Sequence, residues 1–310
     1  MRGNGMSTTT GLRLLIGTAE GLHELGARER SHFNGHEITA LAGDGLRWWA
    51  LVDGRTLWRW CSDGSWEELA RLQDDPGTCL AQTPAGLLVG TAGAHLLRLE
   101  EGQLVRVEGF EQVDGRQEWY TPWGDPADTR SISTDPVGAV YVNVHVGGVV
   151  RSIDGGRSWR PTLDIHADVH QVLAHPAHAR MVLAAAAVGF AISEDGGDSW
   201  RFEKEGLHAH YLRAVAVTGD HVLVSASTGP GGKRAALYRR GLRGNENFER
   251  CRQGLPDWFQ SNIDTSCLAA SAVTAVFGTD DGRVFLSTDA GISWERIAKD
   301  LPTVQCVSIA

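Results

Sequence analysis

Short runs of apolar or alternating residues, divided by Gly- and Asp-rich turns, fill the chain from residue 12 onward. One stretch shows the grammar: Ile38–Ala42, Leu46–Val52, Leu57–Trp60 and Trp66–Ala70 each have strand length and strand-forming residues. No segment carries a sustained 3.6-residue hydrophobic period, so helix is predicted to be scarce. Three eight-residue segments resemble one another: Ser152 to Trp159, Ser193 to Trp200 and Ser287 to Trp294, with a worn copy at Ser62 to Trp66. Trp159 and Trp200 stand 41 residues apart, Trp66 and Trp159 93, and Trp200 and Trp294 94. The two long gaps are each twice a unit of about 47 residues, so each should hide one degenerate unit. Leu96–Arg98 leading to Val105-Arg106, and Leu237–Arg239 leading to Phe248-Glu249, fill them.

Four short strands per unit of this length predict an all-β fold, a β-propeller. Leu12–Thr18 and Gly21–Leu25 read as the second and third strands of a unit, and Val304–Ile309 as a first strand with nothing after it. Pairing the C-terminal strand with the N-terminal blade closes the ring and removes an exposed sheet edge. The predicted architecture is one seven-bladed propeller of four-stranded blades over residues 11–310, behind a flexible tail, residues 1–10.

In the repeated octapeptide, Asp154, Asp195 and Asp289 are placed to accept backbone N–H bonds in a tight turn, while each Trp packs beneath it. These are structural staples. The segments resemble the Asp-box, or BNR repeat, Ser-x-Asp-x-Gly-x-Ser/Thr-Trp, found in sialidase-like propellers. The resemblance implies fold more than activity, since the box is structural in that superfamily. It does not extend to true sialidases. Those resemble one another in an Arg-Ile-Pro motif near the N-terminus, and here that region offers only Arg13. Only four tyrosines are available for a Tyr–Glu nucleophile pair, and sialidase propellers have six blades. The chain is similar instead to intracellular bacterial BNR-repeat or WD40/YVTN-like propellers.

Composition adds exclusions. Lys and Arg total 29 against 38 Asp and Glu, giving a net charge of −9, which argues against non-specific binding to nucleic acid or anionic membranes. No apolar run approaches the roughly 20 residues of a membrane helix. The N-terminus lacks the apolar core of a signal peptide. Five scattered cysteines without a CxxC pair read as reduced thiols, so a cytoplasmic monomer is expected.

Candidate chemistry comes from aligning the seven innermost strands on Leu41, Leu80, Ile132, Leu173, Val215, Leu268 and Val307. Two residues earlier stand Thr39, Thr78, Arg130, Gln171, Arg213, Ser266 and Gln305, all polar. One residue earlier stand Ala40, Cys79, Ser131, Val172, Ala214, Cys267 and Cys306, all compact. Strand alternation predicts a polar ring around the channel and a compact column against the next blade. Arg130, Arg213, Gln171 and Gln305 are candidate ligand-binding residues, the arginines clamping a small anion. Further out, Glu37, Asp128, Tyr211 and Asp264 are candidate catalytic groups.

Histidines crowd the same end. His166-Ala-Asp168-Val-His170 places three potential ligands at two-residue spacing, sharing a side if the chain is extended, and His145, His208 and His210 are further candidates for a divalent transition metal. His175 and His178 are expected in an exposed turn on the opposite face. Two aromatic loops, Trp119 to Trp123 and Trp258-Phe259, lead into innermost strands, with Trp123 and Trp258 as candidate ligand or partner contacts. Three readings stay open: a small-molecule site, metal-assisted in one version and possessing enzyme activity in another; a protein-binding scaffold using the aromatic loops; and a non-sialidase glycosidase, which needs two opposed carboxylates such as Asp128 with Asp264 or Glu37.

Overall fold

The computed structural model describes residues 12–26, 28–121, 124–244 and 246–310. The predicted tail lies outside them. The described strands form seven four-stranded antiparallel sheets arranged as the blades of a ring. Their innermost strands are Val304–Ile309 for blade 1, then Ile38–Gly43, Gly77–Thr83, Thr129–Thr134, Val169–Ala174, Tyr211–Thr218 and Leu268–Ser271 for blades 2 to 7. Each packs beside its neighbour around the channel. Blade 1 is completed from both ends of the chain, with Ile16 opposite Val307 and Gly17 opposite Cys306. Helix among the described residues is confined to Glu108–Glu111 and the 3-10 turns Arg116–Glu118 and Ile165–Ala167. No described helix is long and apolar enough to cross a membrane.

The strand boundaries follow the hydrophobic pattern to within a few residues. Leu46 is one exception: the strand begins at Trp48, and Leu46 is 92% exposed in the preceding turn. The core sits between blades. The compact column behaves as expected, since Ala40, Cys79, Ser131, Val172, Ala214, Cys267 and Cys306 are all buried. Three of its thiols reach the neighbouring blade's backbone: Cys79 to Thr129 O (3.6 Å), Cys267 to Gln305 O (3.3 Å) and Cys306 to Ile38 O (3.5 Å). Glycines on the second strands permit this approach. A Cβ on Gly90 would stand 2.5 Å from Thr129 Cγ2, and one on Gly17 2.5 Å from Cys306 Sγ.

The repeated octapeptides are self-contained turns. Asp289 accepts from the amides of Ile292 (3.1 Å) and Ser293 (2.9 Å), and from the hydroxyls of Ser287 (2.8 Å) and Ser293 (2.5 Å). Trp294 lies buried beneath, its indole N–H donating to Gly291 O (3.2 Å). Asp154 and Asp195 make the corresponding bonds. The expectation for His175 is corrected. It is buried, and its Nδ1 accepts the amides of Ala177 and His178 (3.0 Å each), so it caps its own turn and is withdrawn from solvent.

Candidate metal centre at the channel mouth

The innermost strands do not run straight to the channel mouth. In blades 1 to 6 each carries a bulge, with Gln305, Thr39, Thr78, Arg130, His170 and the Arg213-Ala214 pair as the residues left without a ladder partner. A bulge adds local twist and re-aims side chains. Here it turns one ring of residues toward the mouth. Thr39, Thr78, Arg130, Arg213, Ser266 and Gln305 line a cavity of about 250 Å³ together with Asp128 and Asp264.

Blade 5 departs from the sequence alignment by one position. Its bulge residue is His170, which is fully buried, and Gln171 points lower into the channel. There Gln171 Oε1 accepts the Val215 N–H (3.1 Å) and its Nε2 donates to Val215 O (3.2 Å), tying blade 5 to blade 6. The two ring arginines are each held by an acid: Arg130 Nε donates to Asp128 Oδ2 (2.8 Å), and Arg213 Nε to Asp264 Oδ1 (2.6 Å). Glu37 is partly buried outside this cavity, its backbone amide bonded to Asp53 Oδ1 (2.9 Å).

Beside Asp128 three potential metal ligands converge. One donor atom each from His145, Asp168 and His170 lies within 4.8 Å of the other two. His145 follows the second strand of blade 4, Val140–Val144, and its amide donates to Asp128 O (2.8 Å). Asp168 ends the Ile165–Ala167 turn in a left-handed conformation, φ 47°. That left-handed residue breaks the alternation expected from an extended chain. It throws His166 outward, 87% exposed, while Asp168 and His170 turn inward.

The outer nitrogens of both imidazoles are fixed. His145 Nδ1 faces Asp128 Oδ1 (3.2 Å), and His170 Nδ1 donates to Leu212 O (2.5 Å). A carbonyl can only accept, so in the neutral ring the His170 proton sits on Nδ1 and Nε2 presents a lone pair. That lone pair faces Asp168 Oδ1 at 3.7 Å. Both atoms are buried, and among the described residues no donor faces His170 Nε2. His145 Nε2 lies 3.2 Å from the same oxygen. The Tyr211 ring packs against His170 at a tilt of 55°, with centroids 4.7 Å apart.

Protonation follows the geometry. Burial first, and the Arg213 charge next, push His170 down to about 4, so it is a neutral imidazole near pH 7. Burial works against charge on His145, but Asp128 and Asp168 outweigh it and raise the imidazole above its ordinary value. Burial likewise acts to raise Asp168 and Asp128. Contact with His145 outweighs it in both, helped at Asp168 by the charge of His170 and at Asp128 by that of Arg130, and both carboxyls stay below the usual range.

The remaining histidines lie apart from this cluster. His208 Nδ1 meets the Tyr238 hydroxyl (2.8 Å), and its ring is 4.7 Å from that of Trp258, while His210 is exposed. Trp258 carries the guanidinium of Arg250 3.7 Å from its ring centre and that of Arg234 at 4.5 Å. Trp123 lies outside the described residues. Sequence reasoning did not foresee the orienting role of Asp128 and of the Leu212 carbonyl; both depend on contacts between chain segments far apart.

No known protein-family pattern and no curated protein matches the chain. Solved structures do. YCF48 from Cyanidioschyzon merolae superposes with a TM-score of 0.60 at 14% identity, over 91% of this chain and 90% of that one. YCF48 bound to D1 peptide gives 0.58 at 12% identity, over 96% and 99%. A GH74 xyloglucanase from Xanthomonas campestris gives 0.56 at 14% identity, over 93% of this chain and 47% of that one, so the chain spans about half of that enzyme. At these identities the likeness is one of fold: the chain is a seven-bladed β-propeller with structural neighbours among the YCF48 and GH74 propellers.

Proposed function

We propose that the channel mouth holds a divalent transition metal on His145, Asp168 and His170, and that the metal and the ring arginines Arg130 and Arg213 together receive a small anionic molecule. The observation that carries this reading is an acceptor facing an acceptor. His170 Nε2 and Asp168 Oδ1 meet at 3.7 Å, buried, with no hydrogen between them. His145 Nε2, 3.2 Å from that oxygen, satisfies Asp168 but does not reach the His170 lone pair, which is left facing a carboxylate in a low-dielectric setting unless a cation stands between them. Separations of 3.2 and 3.7 Å match the edges of a coordination shell whose bonds are about 2.0–2.2 Å long. Outer-nitrogen partners on both imidazoles are the support that metal-bound histidines need. Two imidazoles and one carboxylate suit Zn, Fe, Ni or Cu and leave coordination positions for a ligand. When bound, such a metal would polarise an oxygen of that ligand or lower the pKa of a water. The five free thiols favour a cytoplasmic setting for this activity.

Metal content of protein reconstituted with Zn, Fe, Mn, Ni or Cu and then desalted tests the proposal. About one equivalent per chain is expected for one of these metals, lost in Asp168→Ala and kept in His166→Ala. Sub-stoichiometric content with all five would end it.

A second reading, a peptide-binding scaffold, is supported by likeness to a propeller solved with a bound peptide and by Tyr120, 57% exposed beside Trp119. It predicts a partner whose capture is lost in Tyr120→Ala and retained in His170→Ala. The glycosidase reading has less support despite the GH74 neighbours. A general acid needs a raised pKa, and Asp128 is held low and bound to Arg130 and His145.

A further inference from the structure

Blade 6 carries an open cleft of about 610 Å³ on its outer part, away from the channel-mouth cavity. Arg234, Arg250, Arg252, His208, Tyr238 and Trp258 line it, together with Glu249. Arg250 belongs to the outermost strand, Glu249–Arg250, and its side chain is nine-tenths buried. Its guanidinium lies against Trp258, and its Nε and Nη2 make no hydrogen bond. The nearest carboxylate, Asp257, is 84% exposed and stands 3.7 Å from Arg250 Nη2 and 3.8 Å from Arg252 Nη1, beyond hydrogen-bond reach.

A guanidinium cannot lose its proton, so a buried one needs either a counter-ion or full hydrogen bonding. Arg250 has only the long ion pair to exposed Asp257, at 3.7 Å, and no hydrogen bond at Nε or Nη2. Trp258 does not present a bare ring for stacking. It spaces Arg250 and Arg234 around itself, with His208 beside it. Arg252, 69% exposed, and Arg234, also exposed, complete a set of three cations against the two acids Glu249 and Asp257.

We infer that this cleft is a second anion site, built for a phosphate group. The guanidiniums come from three separate positions, so they suit an anion with several acceptor oxygens better than a planar carboxylate, which one guanidinium fork satisfies. Arg250 supplies the fixed charge at the floor, and Arg234 and Arg252 close over the anion from the rim. The site is independent of the metal centre and shares no residue with it.

Calorimetric titration of the full chain with inorganic phosphate tests the inference. Wild type should bind one phosphate at this cleft. Arg250→Met should weaken that binding about tenfold or more, and Arg252→Gln by a smaller factor of about three to five, as expected for loss of charge-assisted contacts. Arg71→Gln, at an exposed arginine outside both cavities, should leave it intact. Acetate at equal concentration should not compete. If Arg250→Met fails to fold, Arg252→Gln decides. Absence of phosphate binding in wild type, unchanged affinity in the cleft variants, or equal competition by acetate would overturn the assignment.

Discussion

Single carboxylates do two kinds of work in this molecule, and their environments separate them. Asp154, Asp195 and Asp289 accept several short hydrogen bonds within one turn. Serine hydroxyl and amide donors hold Asp154 and Asp195 below the usual carboxylate range; at Asp289, where burial acts to raise the carboxyl, the Ser293 bonds outweigh it. A depressed folded-state pKa contributes stability that is fully present above the unfolded value of about 3.9 and lost as pH falls through the folded value. The thermal midpoint should therefore not change on account of these turns between pH 7 and pH 5, and should fall below about pH 4. Asp289→Ala should cost about 1–2 kcal/mol in urea unfolding at pH 7 and should reduce the steepness of that acid limb. Asp168 is different. Its inner oxygen faces two imidazoles, of which His145, at 3.2 Å, is placed to donate and His170 is not. Asp168→Asn would put an amide donor opposite the His170 lone pair. In the metal-free protein that change should hold or raise the thermal midpoint while removing metal binding, a combination that a merely structural aspartate would not give.

Between strands, the fit depends on small residues meeting backbone. Gly90 lies where the next blade's Thr129 and its own blade's Cys79 both crowd the missing Cβ, at 2.5 and 2.6 Å. Gly90→Ala should destabilise the fold by about 1–3 kcal/mol, read as a lowered urea midpoint at unchanged m-value. This part of the architecture was legible in the sequence. Trp spacing gave the blades, the terminal half-units gave the closure, and the compact residues before Leu41, Leu80 and Ile132 gave the inter-blade column. The bulges were not legible. A bulge is defined by which residue lacks a partner on another strand, and Arg130 and His170 occupy equivalent places only once Thr129 opposite Val144 and Val169 opposite Ala186 are known. Aligning on apolar residues alone set Gln171 in that place. The same limit applies to His166: two-residue spacing predicts a shared side only for extended chain, and the Ile165–Ala167 turn is not extended.

Ring closure makes the mouth. Its lining residues come from blades separated by most of the chain, from Thr39 to Gln305, and no single blade holds more than a fragment of the cavity. Deleting residues 304–310 removes the innermost strand of blade 1 and leaves Leu14–Thr18 as an unpaired edge. That truncated chain should lose cooperative unfolding and elute as aggregates on size exclusion. Closure also sets the proposed metal centre, because His145 comes from blade 4, Asp168 and His170 from the segment leading into and beginning blade 5, and the carbonyl orienting His170 from blade 6. X-ray absorption on the zinc-loaded chain addresses that centre directly. The account predicts a first shell of nitrogen and oxygen at about 2.0–2.1 Å with the outer-shell signature of two imidazoles, falling to one imidazole in His170→Ala. A shell containing sulfur, or one of water oxygens without imidazole, would contradict it.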